Sequence, residues 1–411
     1  MSSSFLTNTT TEQTLLRLLR QTLQQSAKAN AAPLLPPPQW QQLLTLADRH
    51  EVLTLLETTW DSAKLPDEQR LRIQAKTART IQKSIQLQAL NARLTALLAN
   101  EGITAITLKG CTVSRYYPTP EFRKTSDIDL FVANPEDAKK AVNILWDNGF
   151  NPSGEWHANH HFILSSEKNE VVELHTAWAD DFKNKNLNQY MAKMQPESMH
   201  HCHLTDIQGF QVYAYETPWH AFYLMIHMLT HFVGSGFGLR NLCDWVVLWN
   251  HCDEVKARGD FWKMAVESGT EEFAAALTAI CVKYLGLDRA KSPVPDEKHV
   301  DPETVEMLLR DILDAGEFGY SEAARMVGMD GDSWTAYVRE FHHQMHINFP
   351  KAGRWIILWP VLWAATLVRF LRNNRKLHRA PLTEIMKKAG KRGQLVSRLI
   401  SPAAPADTHL Q

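Results

Sequence analysis

Two aspartates in the run Ser126-Asp127-Ile128-Asp129-Leu130-Phe131-Val132 have the clearest capacity for chemistry. Polar and apolar types alternate there, as in a half-buried strand. On a strand, Asp127 and Asp129 share one face while Ile128, Leu130 and Val132 take the other. Two neighbouring carboxylates repel, and one pKa rises unless a cation lies between them. Mg²⁺ supplies that charge and completes its oxygen shell with phosphate oxygens. A two-ion site needs a third carboxylate from a neighbouring strand. Glu173, in Val171-Val172-Glu173-Leu174-His175, is the candidate, with apolar residues beside it and His175 on its own face. The D-x-D pair alone proves little, because most such pairs are solvated edges or turn residues.

Its neighbours add weight. Leu108-Lys109-Gly110-Cys111-Thr112 reads as a strand running through a glycine into a helix. A helix N-terminus offers free backbone N–H groups to phosphate, and glycine lets the backbone approach closely. Lys109 adds a point charge for a β- or γ-phosphate. Arg123, four residues before Asp127, does the same or pairs with the acids. His160 and His161, at the start of a later strand, are candidate substrate contacts, as is His175.

The elements that position these residues follow from periodicity. Residues 1–38 form a polar extension with one amphipathic helix (Leu15, Leu16, Leu18, Leu19, Leu23) on a proline-stiffened linker. Residues 39–100 read as helices. Residues 101–180 alternate: strands over 103–108 and 126–132, then Asn134-Pro135-Glu136-Asp137 as a helix start, and strands over 161–165 and 171–177. Residues 181–290 read as a second helical region and 291–350 as linker and helices. Residues 351–411 form an apolar then basic tail. The fold class expected is α+β, a small mixed-sheet core flanked by helical regions.

The string ITLKGCTVSRYYPTPEFRKTSDIDLFV, followed by a helix and VVELHTAW, resembles the bacterial family of uncharacterised nucleotidyltransferases, a branch of the DNA polymerase beta-like superfamily. The resemblance spans about residues 39–290 and is strongest over 106–178. It implies that Asp127, Asp129 and Glu173 hold two Mg²⁺ ions and that Lys109 and Gly110 meet the triphosphate of an NTP, ATP being favoured. The acceptor is then a small molecule or a protein hydroxyl. The usual Gly-Ser pair is here Gly110-Cys111, which removes a phosphate-binding hydroxyl and leaves open a rival reading, a non-catalytic nucleotide-binding or membrane-associated module of a biosynthetic cluster.

Charge is balanced overall, at 44 basic and 45 acidic residues, but not locally. Residues 351–400 hold twelve Lys/Arg and one acid, Glu384, so the rest of the chain is near −12 when the whole is −1. Within this tail, Trp355, Trp359 and Trp363 sit in a fourteen-residue apolar run over 355–368, broken by Pro360 and flanked by basic residues. That is short for a membrane span and suits either a segment on an anionic membrane surface or a buried helix with a solvated basic tail. Nucleic acid is not expected, since aromatics are not interleaved with the basic residues after Phe370. Five unpaired cysteines and the absence of an apolar leader at the N-terminus place the expected location in the cytoplasm, with a peripheral position on the inner membrane face left open. His200, His201, Cys202 and His203 read as a surface loop rather than zinc ligands. His227 and His231 share a helix face and read as packing against the catalytic core, and Arg240 and Asp244 read as an i,i+4 pair.

Overall fold

The protein is described from a computed structural model covering residues 10–24, 37–59, 65–152, 161–316, 355–377 and 382–400, with scattered positions between 338 and 352. Its centre is a seven-stranded mixed sheet. The strands are β1 (Ile106–Thr107), β2 (Asp127–Phe131), β3 (Asn151–Pro152), β4 (His161–Ser165), β5 (Val171–His175), β6 (Cys202–Ile207) and β7 (Phe210–Tyr215), in spatial order β3-β4-β5-β2-β1-β7-β6. β2 runs parallel to β5, and β1 parallel to β7. The expected α+β class with a mixed sheet is the one observed.

The helices divide between the sheet's two faces. The long α3 (Asp67–Asn100) and α5 (Pro135–Asp147) cover one face. There Leu87, Leu90, Leu94 and Leu98 of α3 and Ala138, Ala141 and Leu145 of α5 bury Ile128, Leu130, Val132, Val172 and Leu174. The start of α5 is fixed as its residue types demand. Asn134 caps it by accepting from the backbone N–H groups of Glu136 and Asp137, and Pro135 opens the first turn. The opposite face meets a larger helical core that includes α2 (Pro37–Arg49), α6 (Lys185–Ser198), α7 (Thr217–Val233), α8 (Leu239–Asn250), α9 (Val255–Ser268) and α10 (Glu271–Ile280).

Two features differ from the sequence expectation. The N-terminal helix α1 (Thr10–Leu23) is no tethered extension: Leu15, Leu16, Leu18, Leu19 and Leu23 are all buried in the larger core. Five leucines on one stripe carry about 1.5–3 kcal/mol each on burial, which outweighs any tendency of the helix to stay solvated. Secondly, residues 202–215 are not helical. They form the β6–β7 hairpin, which adds two strands beside β1 and turns at Gln208-Gly209, both with positive φ.

Candidate active site

β2 and β5 lie side by side in register, with Asp129 opposite Glu173 and Phe131 opposite His175. Parallel neighbours in register point the same way, so Asp127, Asp129, Glu173 and His175 all emerge on the face turned toward the larger core. The apolar residues between them are the ones held by α3 and α5. Alternation along two short strands is therefore enough to gather the polar groups on one side.

Asp129 is the buried centre of the cluster. Lys109 Nζ lies 3.2 Å from Asp129 Oδ1 and 3.9 Å from Asp127 Oδ2. His175 Nε2 lies 3.3 Å from Asp129 Oδ1 and 3.5 Å from Glu173 Oε2. Exposure is graded: Asp129 is almost fully buried, while the Asp127 and Glu173 side chains are 21% and 26% exposed. Burial disfavours the charged forms of Lys109 and His175, yet the carboxylates prevail and raise both pKa values. Burial alone would raise the Glu173 pKa, but the His175 hydrogen bond and the Lys109 charge bring it below the usual value. Glu173 is thus ionised at neutral pH.

One ligand atom each from Asp129, Glu173 and His175 lies within 4.8 Å of the others, near enough for one divalent ion to draw them together. Among the described residues no other cluster of this kind occurs. Asp127 stands outside that trio but is linked to it through Lys109. The donor set, two carboxylates and an imidazole already drawing an ammonium group, fits a divalent cation.

The glycine turn sits beside the acids. Gly110 has φ +75° and ψ −118°, a conformation that side-chain-bearing residues rarely adopt, and it precedes the short helix α4 (Cys111–Ser114). A narrow cleft is lined here by Lys109, Gly110, Thr125 and Asp127, with Ser84, Gln88 and Asn91 of α3 forming its far wall. Cys111 also lines this cleft, but its Sγ accepts from Asn91 Nδ2 at 3.4 Å, and burial pushes the thiol up to about 11. Its sulfur therefore does not replace the missing hydroxyl.

Arg123 lies elsewhere. Its guanidinium grips Asp244 of α8 with Nε–Oδ1 and Nη2–Oδ2 distances of 2.7 Å, and Tyr117 Oη donates to the same carboxylate at 2.7 Å. It neither pairs with the strand acids nor faces the cleft, because a buried guanidinium requires the bidentate partner that Asp244 supplies. Arg240, expected to pair with Asp244, reaches Glu51 at 3.4 Å and donates to the Lys124 carbonyl at 3.3 Å. His161 lies across from His175 with ring centroids 5.3 Å apart; His160 lies outside the described residues. His201 stacks on Trp219 and stands beside Glu216, as a structural residue does.

Sequence patterning did not single out the polar stripe of α3 or Tyr223, whereas His227 was expected to pack against the core. Ser84, Gln88 and Asn91 form a buried polar stripe at helical spacing, visible in hindsight as i, i+4, i+7 polar residues within α3. Tyr223 and His227, stacked at 5.9 Å on α7, lie within electrostatic reach of the acids and of Lys109 respectively. Burial raises the Tyr223 pKa well above its usual value and drops that of His227 well below, so both are neutral.

Residues 36–286 match a family described as uncharacterised nucleotidyltransferase. The chain belongs to this family. Membership in the nucleotidyltransferase family gives its class as an enzyme of nucleotidyl transfer. A solved structure, that of an antigenic nucleotidyltransferase-like protein from Paracoccidioides brasiliensis, is 15% identical. It covers 47% of this chain and 92% of that one at a TM-score of 0.29, too distant a likeness to support an argument. No curated protein matches this nucleotidyltransferase.

Proposed function

We propose that the chain transfers a nucleoside monophosphate, AMP from ATP, to a hydroxyl group on a small molecule or protein side chain. The observation that carries this is the in-register meeting of Asp129 and Glu173 on parallel strands, with Lys109, Asp127 and the Gly110 turn beside them. The acceptor oxygen attacks the α-phosphorus in line, the bond from that phosphorus to the pyrophosphate oxygen breaks, and pyrophosphate leaves. Ionised Glu173, partly exposed, accepts the proton of the acceptor hydroxyl. Lys109, which is tied to the aspartates, turns to the β- and γ-phosphates when nucleotide enters. The bare Gly110 backbone lets a phosphate approach the turn where a Cβ would intrude. Asp127, Asp129 and Glu173 would hold two Mg²⁺ ions, whose charge would favour ionisation of the acceptor hydroxyl and departure of pyrophosphate.

The experiment is label transfer. Purified protein with Mg²⁺, α-labelled NTPs and cell extract should move label to an acceptor, most from ATP. Asp127→Ala and Asp129→Ala should each remove the transfer. Nucleotide binding with no transfer to any acceptor would favour the rival reading of a nucleotide-binding module, for which the buried Cys111 thiol in the phosphate turn is the supporting observation.

A further inference from the structure

The C-terminal part of the chain turns apolar side chains outward. The helix Trp359–Leu377 uses Trp359, Leu362, Trp363 and Thr366 on its inner side: Trp359 and Trp363 meet the His342 ring at 4.5 and 5.8 Å, and Leu362 and Thr366 are buried. Its other side, with the turn before it, presents Trp355, Ile356, Ile357, Val361, Leu367 and Val368 to solvent. Ile357 is 90% and Val361 67% exposed. Pro360 and Ala364 complete the stripe, which carries no polar side chain until Arg369 and Arg372, both exposed. Leaving such a stripe in water forfeits the stabilisation that burial would give, so something covers it.

Three observations say what. The segment is followed by exposed Arg369 and Arg372, and residues 351–400 hold twelve Lys/Arg against one acid, two of them (Arg392 and Arg398) paired with the body, while the remainder of the chain is acidic. A second copy would set one basic border against another. An apolar run of fourteen residues spans about 21 Å as a helix, less than the roughly 30 Å of a bilayer core. Among the described residues no helix is long and apolar enough to cross. The chain beyond it is fastened to the body, which sets the segment at the protein's edge. Leu395 and Leu399 of the helix Leu382–Leu399 are buried, Arg392 Nε lies 3.3 Å from Asp311, and Arg398 Nη1 lies 3.7 Å from Asp301.

We infer that the outward face of residues 355–368 lies in the headgroup boundary of an anionic lipid bilayer, with Arg369 and Arg372 in its phosphate layer. Apolar side chains enter the acyl edge, Trp355 sits at the boundary where indole is favoured, and the arginines meet lipid phosphate. The reading is independent of the chemistry on β2 and β5.

The test is flotation of the full-length protein with phosphatidylcholine vesicles, with and without phosphatidylglycerol. The protein should float with the anionic vesicles and lose that association at high salt. Arg369→Gln with Arg372→Gln should weaken binding about thirtyfold, the worth of two arginines at a charged surface. Ile357→Glu with Val361→Glu should abolish it while leaving the thermal midpoint unchanged, since both side chains are exposed. Wild type that stays at the bottom of the gradient overturns the inference, as does a glutamate variant that floats equally well. A wild-type dimer that those glutamates split into monomers also overturns it, because a second copy then covers the face.

Discussion

Removing the Asp244 carboxylate tests the assignment of Arg123 as a strut rather than a phosphate ligand. Asp244 accepts three hydrogen bonds at 2.7 Å, two from Arg123 and one from Tyr117. The side chains of Arg123 and Asp244 are 2% and 4% exposed, so water does not replace what is lost. Asp244→Ala leaves a guanidinium buried without its counter-ion, a loss of about 3–5 kcal/mol. That is roughly two to three and a half decades in the folded-to-unfolded ratio. Urea unfolding followed by tryptophan fluorescence reads it directly. The double variant Arg123→Met/Asp244→Leu removes both charges and should recover most of the loss, because a well-packed apolar pair of similar volume is often neutral in such a place. Its coupling energy in a double-mutant cycle should exceed about 1 kcal/mol, as expected for groups in direct contact. The double variant should also bind nucleotide as wild type does. A loss below 1 kcal/mol for Asp244→Ala, or Arg123→Met that keeps full stability but loses nucleotide, would refute the argument.

Other perturbations follow from the same geometry. Burial drops the His220 pKa to about 3, with Nε2 3.2 Å from the Leu108 carbonyl. The folded state refuses a proton that the unfolded chain takes up below its ordinary pKa of about 6.5. Stability present above that pH therefore falls by about 1.4 kcal/mol per unit as the solution is acidified toward pH 3, and His220→Gln should remove this component of the urea–pH profile. Gly110→Ala should cost about 1–3 kcal/mol through its positive φ, measured as a lowered unfolding midpoint; an unchanged midpoint would mean the turn is not strained. Cys111, raised to about 11, should resist iodoacetamide at pH 8 in the folded protein, and rapid labelling there would contradict its burial.

The sequence showed the parts of the fold whose signals are local. The alternation through Asp127–Phe131 and Val171–His175 set both strands and the face of each acid, and Asn134-Pro135 set the start of α5. Arg123 was not legible because its partner lies 121 residues away, and i,i+4 spacing on α8 offered Arg240 as a nearer mate for Asp244. The β6–β7 hairpin did leave a signal, alternating residues on either side of Gln208-Gly209, but it lay inside residues 181–290, whose dominant pattern is helical. The leucine stripe of α1 marks it as an amphipathic helix; where it docks depends on residues 37–49 and 54–59 together with the distant 239–250 and 281–285, a meeting that no local pattern announces.

The two-residue strand β1 has a developmental consequence. It is wedged between β2 and β7, and β7 ends at Tyr215, more than a hundred residues after β1 begins. A nascent chain leaving the ribosome N-terminus first therefore exposes both aspartates long before the sheet's middle can close, and the clasp on Arg123 waits for Asp244. Prematurely terminated products ending before that point should be inert and readily digested, so the cell gains no half-working enzyme from an interrupted message.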